Sequence, residues 1–306
     1  MSASSEKSSW KADLALCGIT LIWGSTFIVN AKVIGREPPI AYLAVRFSIA
    51  AALLLAACVG RKSTPFLLKD SFLLGILLAA GMAFQIAGQT ETTASKTAFI
   101  TGLSVVLTPF FATFRTGRGP GMSNLVGVLL ATAGFSLLSW PTGGGILNRG
   151  DLMVLACAVA FAIYIVENAE RAPRHATLPL TAVQLAVASA ALWMISFWLK
   201  VGKPSLAIAA HEAKPMAFDP GFLAAITYMA LFATLLTFLV TTWAQTKMSA
   251  THAALIYALE PVWTAIFAAI VLSERLGARG FAGGALVIAG IVVSELKFSS
   301  AEPRTS

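Results

Sequence analysis

Apolar residues run along this chain in ten near-continuous stretches, at about 13–34, 39–59, 70–90, 95–115, 121–140, 150–169, 178–199, 221–245, 250–272 and 278–296. Each is close to the ~20 residues a helix needs to cross ~30 Å of hydrocarbon. None shows the period-two alternation of barrel strands, so the pattern predicts helices. The first stretch is too long for a cleaved signal peptide and nine more follow, so it counts as a helix. Most connections are short. The longest, about 200–220, carries Lys200, Lys203, Pro204, His211, Glu212, Lys214, Pro215, Asp219 and Pro220, and no connection could house a soluble catalytic domain. The expected fold class is an all-α polytopic membrane protein with ten transmembrane helices.

Composition supports this. Hydrophobic residues make up 57% of the 306 and charged residues 12%, with mean hydropathy +0.79. A soluble domain carries about 25% charge. The net charge of +8 does not mark a nucleic-acid binder, because the basic residues are scattered through short gaps instead of forming one stripe. With the N-terminus inside, Lys7, Lys11, Arg61, Lys62, Lys69, Arg115, Arg118, Arg171, Arg174, Lys247, Lys297 and Arg304 lie inside. Lys32, Arg36, Lys96, Arg149, Lys200, Lys203, Lys214, Arg275 and Arg279 lie outside, giving twelve against nine. That weak excess favours cytoplasmic termini. Cys17, Cys58 and Cys157 sit in apolar runs without CxxC spacing, as small buried hydrophobes do.

An internal repeat adds more. Residues 88–134 slide by 156 positions onto 244–290 without a gap, with 15 of 47 positions identical. Gln89 falls on Gln245, Leu103 on Leu259, Gly127 on Gly283 and Gly134 on Gly290. At an offset of 138, Asp13 falls on Asp151 and Asn30 on Asn168. The expected organisation is a tail at 1–12, a first five-helix repeat at 13–140, a linker at 141–149, a second repeat at 150–296 and a tail at 297–306. Two copies of an odd-helix unit enter a membrane from opposite sides. They are therefore inverted, the architecture of secondary transporters with a site near mid-membrane.

The first run carries Leu21-Ile-Trp-Gly-Ser-Thr-Phe27, and the second Leu43-Ala-Val-Arg-Phe47. The ninth carries Ala253-Ala-Leu-Ile-Tyr-Ala-Leu-Glu-Pro-Val262, followed by Leu272-Ser-Glu-Arg-Leu276. With these motifs the chain resembles the ten-helix EamA branch of the drug/metabolite transporter superfamily, over residues 13–296. The first half departs from the pattern, with Arg118 where the second has Glu274. The resemblance implies an inner-membrane transporter of small organic solutes, often an exporter of amino acids or related metabolites, without an ATP site. The sequence has no GxxxxGK[ST] loop.

Candidate site residues are polar or aromatic groups at depth. Glu260 precedes Pro261 in the ninth run, where ionisation is costly and the proline frees a carbonyl. The pair suits coupling, gating or contact with a substrate amine; the alternative is a carboxylate that fixes a bend. Arg46 is the other deep charge. By depth its partner is Glu260; otherwise it snorkels or bonds exposed carbonyls. Gln85 and Gln89 share a helix face, as do Thr237, Thr241 and Gln245, either lining a cavity or acting as interhelical glue. Trp23, Tyr164 and Tyr257 suit an aromatic cavity wall for amino acids or flat organic cations, or else pack. The substrate-binding candidates are therefore Trp23, Gln85, Gln89, Tyr164, Tyr257 and Gln245, and the coupling or gating candidates Glu260, Arg46 and Pro261. Lys96 and His252 are repeat partners that read as interfacial residues.

No metal site or cofactor motif is present in the sequence. The expected function is secondary transport of a small organic metabolite, as efflux across the inner or plasma membrane by alternating access. The competing classes are an intramembrane enzyme and a channel-like pore. Expected partners are substrate, lipid and a proton, with the chain a monomer or homodimer.

Overall fold

The computed structural model describes residues 10–60, 65–117, 119, 121–139, 148–202, 207–271 and 278–295. Residues 141–147 of the expected linker, the Leu272–Leu276 motif, Arg118 and Glu274 lie outside them. In chain order the helices are α1 (Trp10–Ile34), α2 (Pro39–Ala56), α3 (Pro65–Gln89), α4 (Ala94–Gly102), α5 (Ser104–Thr116), α6 (Met122–Ser139) and α7 (Arg149–Arg171). They continue as α8 (Thr177–Gly202), α9 (Ala207–Glu212), α10 (Pro220–Ala230), α11 (Thr237–Gln245), α12 (Ala250–Tyr257), α13 (Glu260–Val271) and α14 (Ala278–Glu295). No strand occurs among the described residues. Among the described residues, seven segments are long and apolar enough to cross a membrane, and shorter apolar stretches cover Met122–Gly134 and Phe281–Val293.

The two halves start their equivalent helices in equivalent ways. Thr93 accepts a hydrogen bond from the Lys96 N–H at the start of α4, and its repeat partner Ser249 accepts one from the His252 N–H at the start of α12, both 3.2 Å. Such caps satisfy orphan N–H groups that lipid would leave unpaired.

Contacts between α6 and α14 give the halves' relative direction. A Cβ on Gly134 would lie 2.6 Å from the Gly283 carbonyl oxygen, and one on Gly290 2.6 Å from that of Gly127. Moving forward along α6 therefore means moving backward along α14, and these repeat-equivalent helices run antiparallel. Repeats related by an axis along the membrane normal would make them parallel, so the halves are inverted. The other packings follow suit: α3 lies on α7 as α11 lies on α1, and α5 and α4 lie on α7 as α13 and α12 lie on α1.

Three of the expected continuous helices are interrupted. The fourth run breaks at Leu103, between α4 and α5, and the ninth breaks at its repeat partner Leu259, between α12 and α13. Glu260 is therefore the first residue of α13, not a mid-helix residue. Pro261 has no N–H to donate to the Tyr257 carbonyl, which accounts for the second break. The first has no proline at the matching place, since position 105 is valine. In the eighth run, Leu231–Leu236 widens to a π-helix. Its longer i→i+5 spacing leaves polar groups free for other partners.

Candidate functional site

The breaks at Leu103 and Leu259 flank a cavity of about 70 Å³ between the halves. Its wall is built from repeat-equivalent positions. Trp23 is matched by Phe161, Thr26 by Tyr164, Met82 by Phe238 and Gln85 by Thr241. Thr101 is matched by Tyr257, Ser104 by Glu260 and Val105 by Pro261. The cavity thus straddles the pseudo-two-fold axis, yet its chemistry is lopsided. The first half supplies Trp23, the Arg46 guanidinium, small hydroxyls, an amide and Met82. The second supplies Phe161, Tyr164, Phe238, Tyr257 and the only carboxylate among the lining residues, Glu260.

Of the expected residues, Trp23, Gln85, Tyr164, Tyr257, Glu260, Arg46 and Pro261 line this cavity. Gln89 and Gln245 do not. The Gln89 amide donates to the Phe27 carbonyl and the Gln245 amide to the Ile165 carbonyl, both at 3.0 Å. Asn168 also donates to Gln245. These matched bonds tie α3 to α1 and α11 to α7, the glue alternative for those two glutamines.

Arg46 is 2% exposed, and its bonds go to the π segment and not to Glu260. Its Nε donates to the Thr234 hydroxyl, and its Nη2 donates to the Ala233 carbonyl at 2.8 Å. Thr234 passes its own proton to the Met229 carbonyl, five residues back. The π turn thus supplies two acceptors at the depth of the buried guanidinium.

Glu260 is half-buried and faces the cavity. Its carboxylate makes no hydrogen bond or ion pair with the described residues, while its backbone carbonyl accepts from the Thr264 hydroxyl at 3.0 Å. Gly24, in the Trp-Gly-Ser motif, brings α13 close: a Cβ there would sit 3.1 Å from the Glu260 carbonyl oxygen and 2.5 Å from the Trp263 Cβ. The motif's other members serve the same region. Trp23 turns into the cavity, and Ser25 shares a 2.7 Å bond with the Tyr228 hydroxyl.

An aromatic cluster forms the wall beside Glu260. Trp23 meets Tyr257 edge-on at 5.4 Å and Phe238 at 5.9 Å, and Tyr164 meets Phe238 edge-on at 6.3 Å. Tyr164 donates its hydroxyl proton to Gln184, leaving its ring for the cavity. The Trp23 Nε1 and the neighbouring Thr241 and Tyr257 hydroxyls make no well-formed hydrogen bond despite burial. Donors without a well-formed partner beside a carboxylate that makes no hydrogen bond or ion pair suit a polar ligand. Phe161, Phe238, Thr26, Met82, Thr101 and Ser104 were not among the expected residues. Mapping each candidate onto its repeat partner would have found most of them.

Two inverted helical halves around a shared central cavity define a polytopic membrane protein of carrier architecture. The EamA-like transporter family matches residues 10–140 and again 148–296, and the chain belongs to it. An Archaeoglobus fulgidus protein, named only as an uncharacterized transporter, is 29% identical over 290 residues, covering 94% of this chain and 86% of the relative. A second from that organism is 26% identical over 299 residues, covering 94% and 98%. The Bacillus subtilis uncharacterized transporter YetK is 24% identical over 302 residues, covering 95% and 88%. One solved crystal structure superposes with a TM-score of 0.75 at 19% identity, over 94% of this chain and 97% of that one, which is a likeness of fold.

Proposed function

We propose that this chain is a secondary transporter that exports a small organic solute bearing a protonated amine, such as an amino acid or a relative of one. It acts across the inner or plasma membrane by alternating access, with both termini cytoplasmic, as a monomer or homodimer. A proton is the co-substrate in this reading; neither a cofactor nor a metal takes part.

The observation that carries the reading is the Glu260 carboxylate. It faces a cavity shared by the two halves, makes no ion pair with Arg46 on the same wall, and stands beside aromatic rings and donors without a well-formed partner. A cation gains from both a carboxylate and aromatic faces in such a place. The cavity's small size, beside the ~300–1,000 Å³ of ordinary ligand sites, fits a carrier whose halves must part to admit cargo.

The test is Glu260→Gln in proteoliposomes, screened over amino acids and amines with and without a pH gradient. A lost charge-assisted contact is worth ~1.5–3 kcal/mol, so apparent affinity should fall about tenfold to a hundredfold. Accumulation and counterflow should weaken together. Loss of gradient-driven accumulation alone, with counterflow intact, would make Glu260 the proton-coupling site instead. Unaltered affinity and rates would remove it from both roles.

A further inference from the structure

Lys96 and His252 resemble interfacial residues in the sequence, yet each contacts an aspartate across the bundle, Lys96 in an ion pair and His252 in a hydrogen bond. The Lys96 ammonium lies 2.5 Å from Asp151 Oδ2, and the His252 imidazole Nε2 lies 2.9 Å from Asp13 Oδ1. The 156-residue offset carries Lys96 onto His252, and the 138-residue offset carries Asp13 onto Asp151. The same pair is therefore built twice, on opposite faces of the membrane.

We propose that these pairs are two equivalent latches, which hold the half-helices α4 and α12 shut over opposite sides of the central cavity. The inference rests on the alternating-access reading and adds the parts that move. Each latch residue sits in the first turn of a short half-helix, and the far end of that half-helix meets a break, at Leu103 or Leu259. The cavity lies at the break: Thr101 and Gly102 of α4 and Tyr257 of α12 line it. Each arm thus fills the space between the cavity and one face, pinned at its tip and hinged at its inner end. The caps at Thr93 and Ser249 are local to each arm, so an arm can swing without undoing its own first turn. Releasing one tip opens the cavity to one side only.

The pairs differ in chemistry. Asp151 has a fully buried side chain and also accepts from the Thr92 hydroxyl and the Asn148 N–H, both at 2.9 Å. Asp13 has a side chain 28% exposed and faces an imidazole in place of an ammonium. The Lys96 latch is accordingly the tighter one.

The test needs no known substrate. The full chain, with Cys17, Cys58 and Cys157 replaced by alanine, carries Thr241→Cys in the cavity wall. It is reconstituted in liposomes and labelled with an impermeant maleimide from each side. Asp151→Asn should raise the labelling rate from the Lys96 side at least about tenfold, the factor for ~1.4 kcal/mol, and lower it from the other. Asp13→Asn should do the reverse with a smaller change. A cross-linked pair provides a second readout. Lys96→Cys with Asp151→Cys, bridged by a short bifunctional thiol reagent, should block labelling from the Lys96 side and leave the opposite side open. Labelling that is unmoved, or raised equally from both sides, would overturn the latches, as would a bridged pair that blocks nothing. Counterflow by the parent chain in the same liposomes separates the two ideas. Saturable counterflow with unmoved labelling refutes the latches alone, whereas its absence over the whole amine and amino-acid screen refutes the transport reading.

Discussion

Gly134→Ala adds one methyl group where α6 crosses α14. Its new Cβ would lie 2.6 Å from the Gly283 carbonyl oxygen, 2.7 Å from Val287 Cγ2 and 2.8 Å from the Val287 backbone nitrogen. Two of these three atoms belong to backbone, so no rotamer change clears them, and α14 must retreat along its length. Overpacking of this kind costs ~1–3 kcal/mol. Gly290→Ala should cost a similar amount, since its Cβ would meet the Gly127 carbonyl oxygen at 2.6 Å and the Ala131 nitrogen at 3.0 Å. Gly18→Ala is the internal control. It also lies inside a helix, but nothing stands within 4 Å of its Cβ position, so helix propensity alone should favour alanine by ~1 kcal/mol. Melting of the detergent-solubilised protein, followed by size-exclusion after heating, reads all three. The expected result is a fall of several degrees for Gly134→Ala and Gly290→Ala and no fall for Gly18→Ala. If Gly134→Ala melts with Gly18→Ala, α6 and α14 do not cross as described, and the direct argument for inversion goes with them.

Gln89→Leu and Gln245→Leu each remove one interhelical bond, so each should lower stability by ~1 kcal/mol while leaving the apparent KM of transport unchanged; a KM shift would return those residues to the binding site. Glu212 accepts from the N–H groups of Ile40 and Ala41 at 2.8 and 3.0 Å and from the Ser196 hydroxyl at 2.5 Å, yet burial outweighs these bonds and raises its carboxyl above the ordinary 4.5. The native chain then keeps a proton that the unfolded chain has released, so this contribution to stability is full below about 4.5 and is lost as pH rises through the raised value. Glu212→Gln should erase that slope in a melting series over pH, and an unchanged slope would assign it to another group.

Much of the fold was legible because lipid imposes a coarse rule. A segment surrounded by hydrocarbon must be apolar for about 20 residues, and that length shows without any contact information. The repeat then fixed the inversion, since it divided the helices five and five. What escaped depends on neighbours. The break beside Pro261 has a local cause, but the one at Leu103 has no proline at the matching place, and only its repeat partner hints at it. The π turn at Leu231–Leu236 carries no compositional mark, so the sequence left Arg46 between Glu260 and exposed carbonyls, and the bond to the Ala233 carbonyl is the second of these. Gln85 and Gln89 are four residues apart on one face of α3, yet one reaches the cavity and the other a carbonyl of α1. Helical periodicity gives a direction from the axis, while the neighbouring helix decides what is met there.

The α6–α14 crossing has one more implication. The glycine surface of one half fits the equivalent glycine surface of the other, antiparallel, with the same carbonyl facing the same missing side chain. Matching surfaces of this kind mean that each five-helix half is shaped to recognise the other inserted upside down. Residues 10–139 and 148–295, made as separate polypeptides, would need no tether to find this arrangement, only opposite insertion. Co-assembly of the two pieces would make the linker a device for fixing stoichiometry and orientation, with the adhesion residing in the helices.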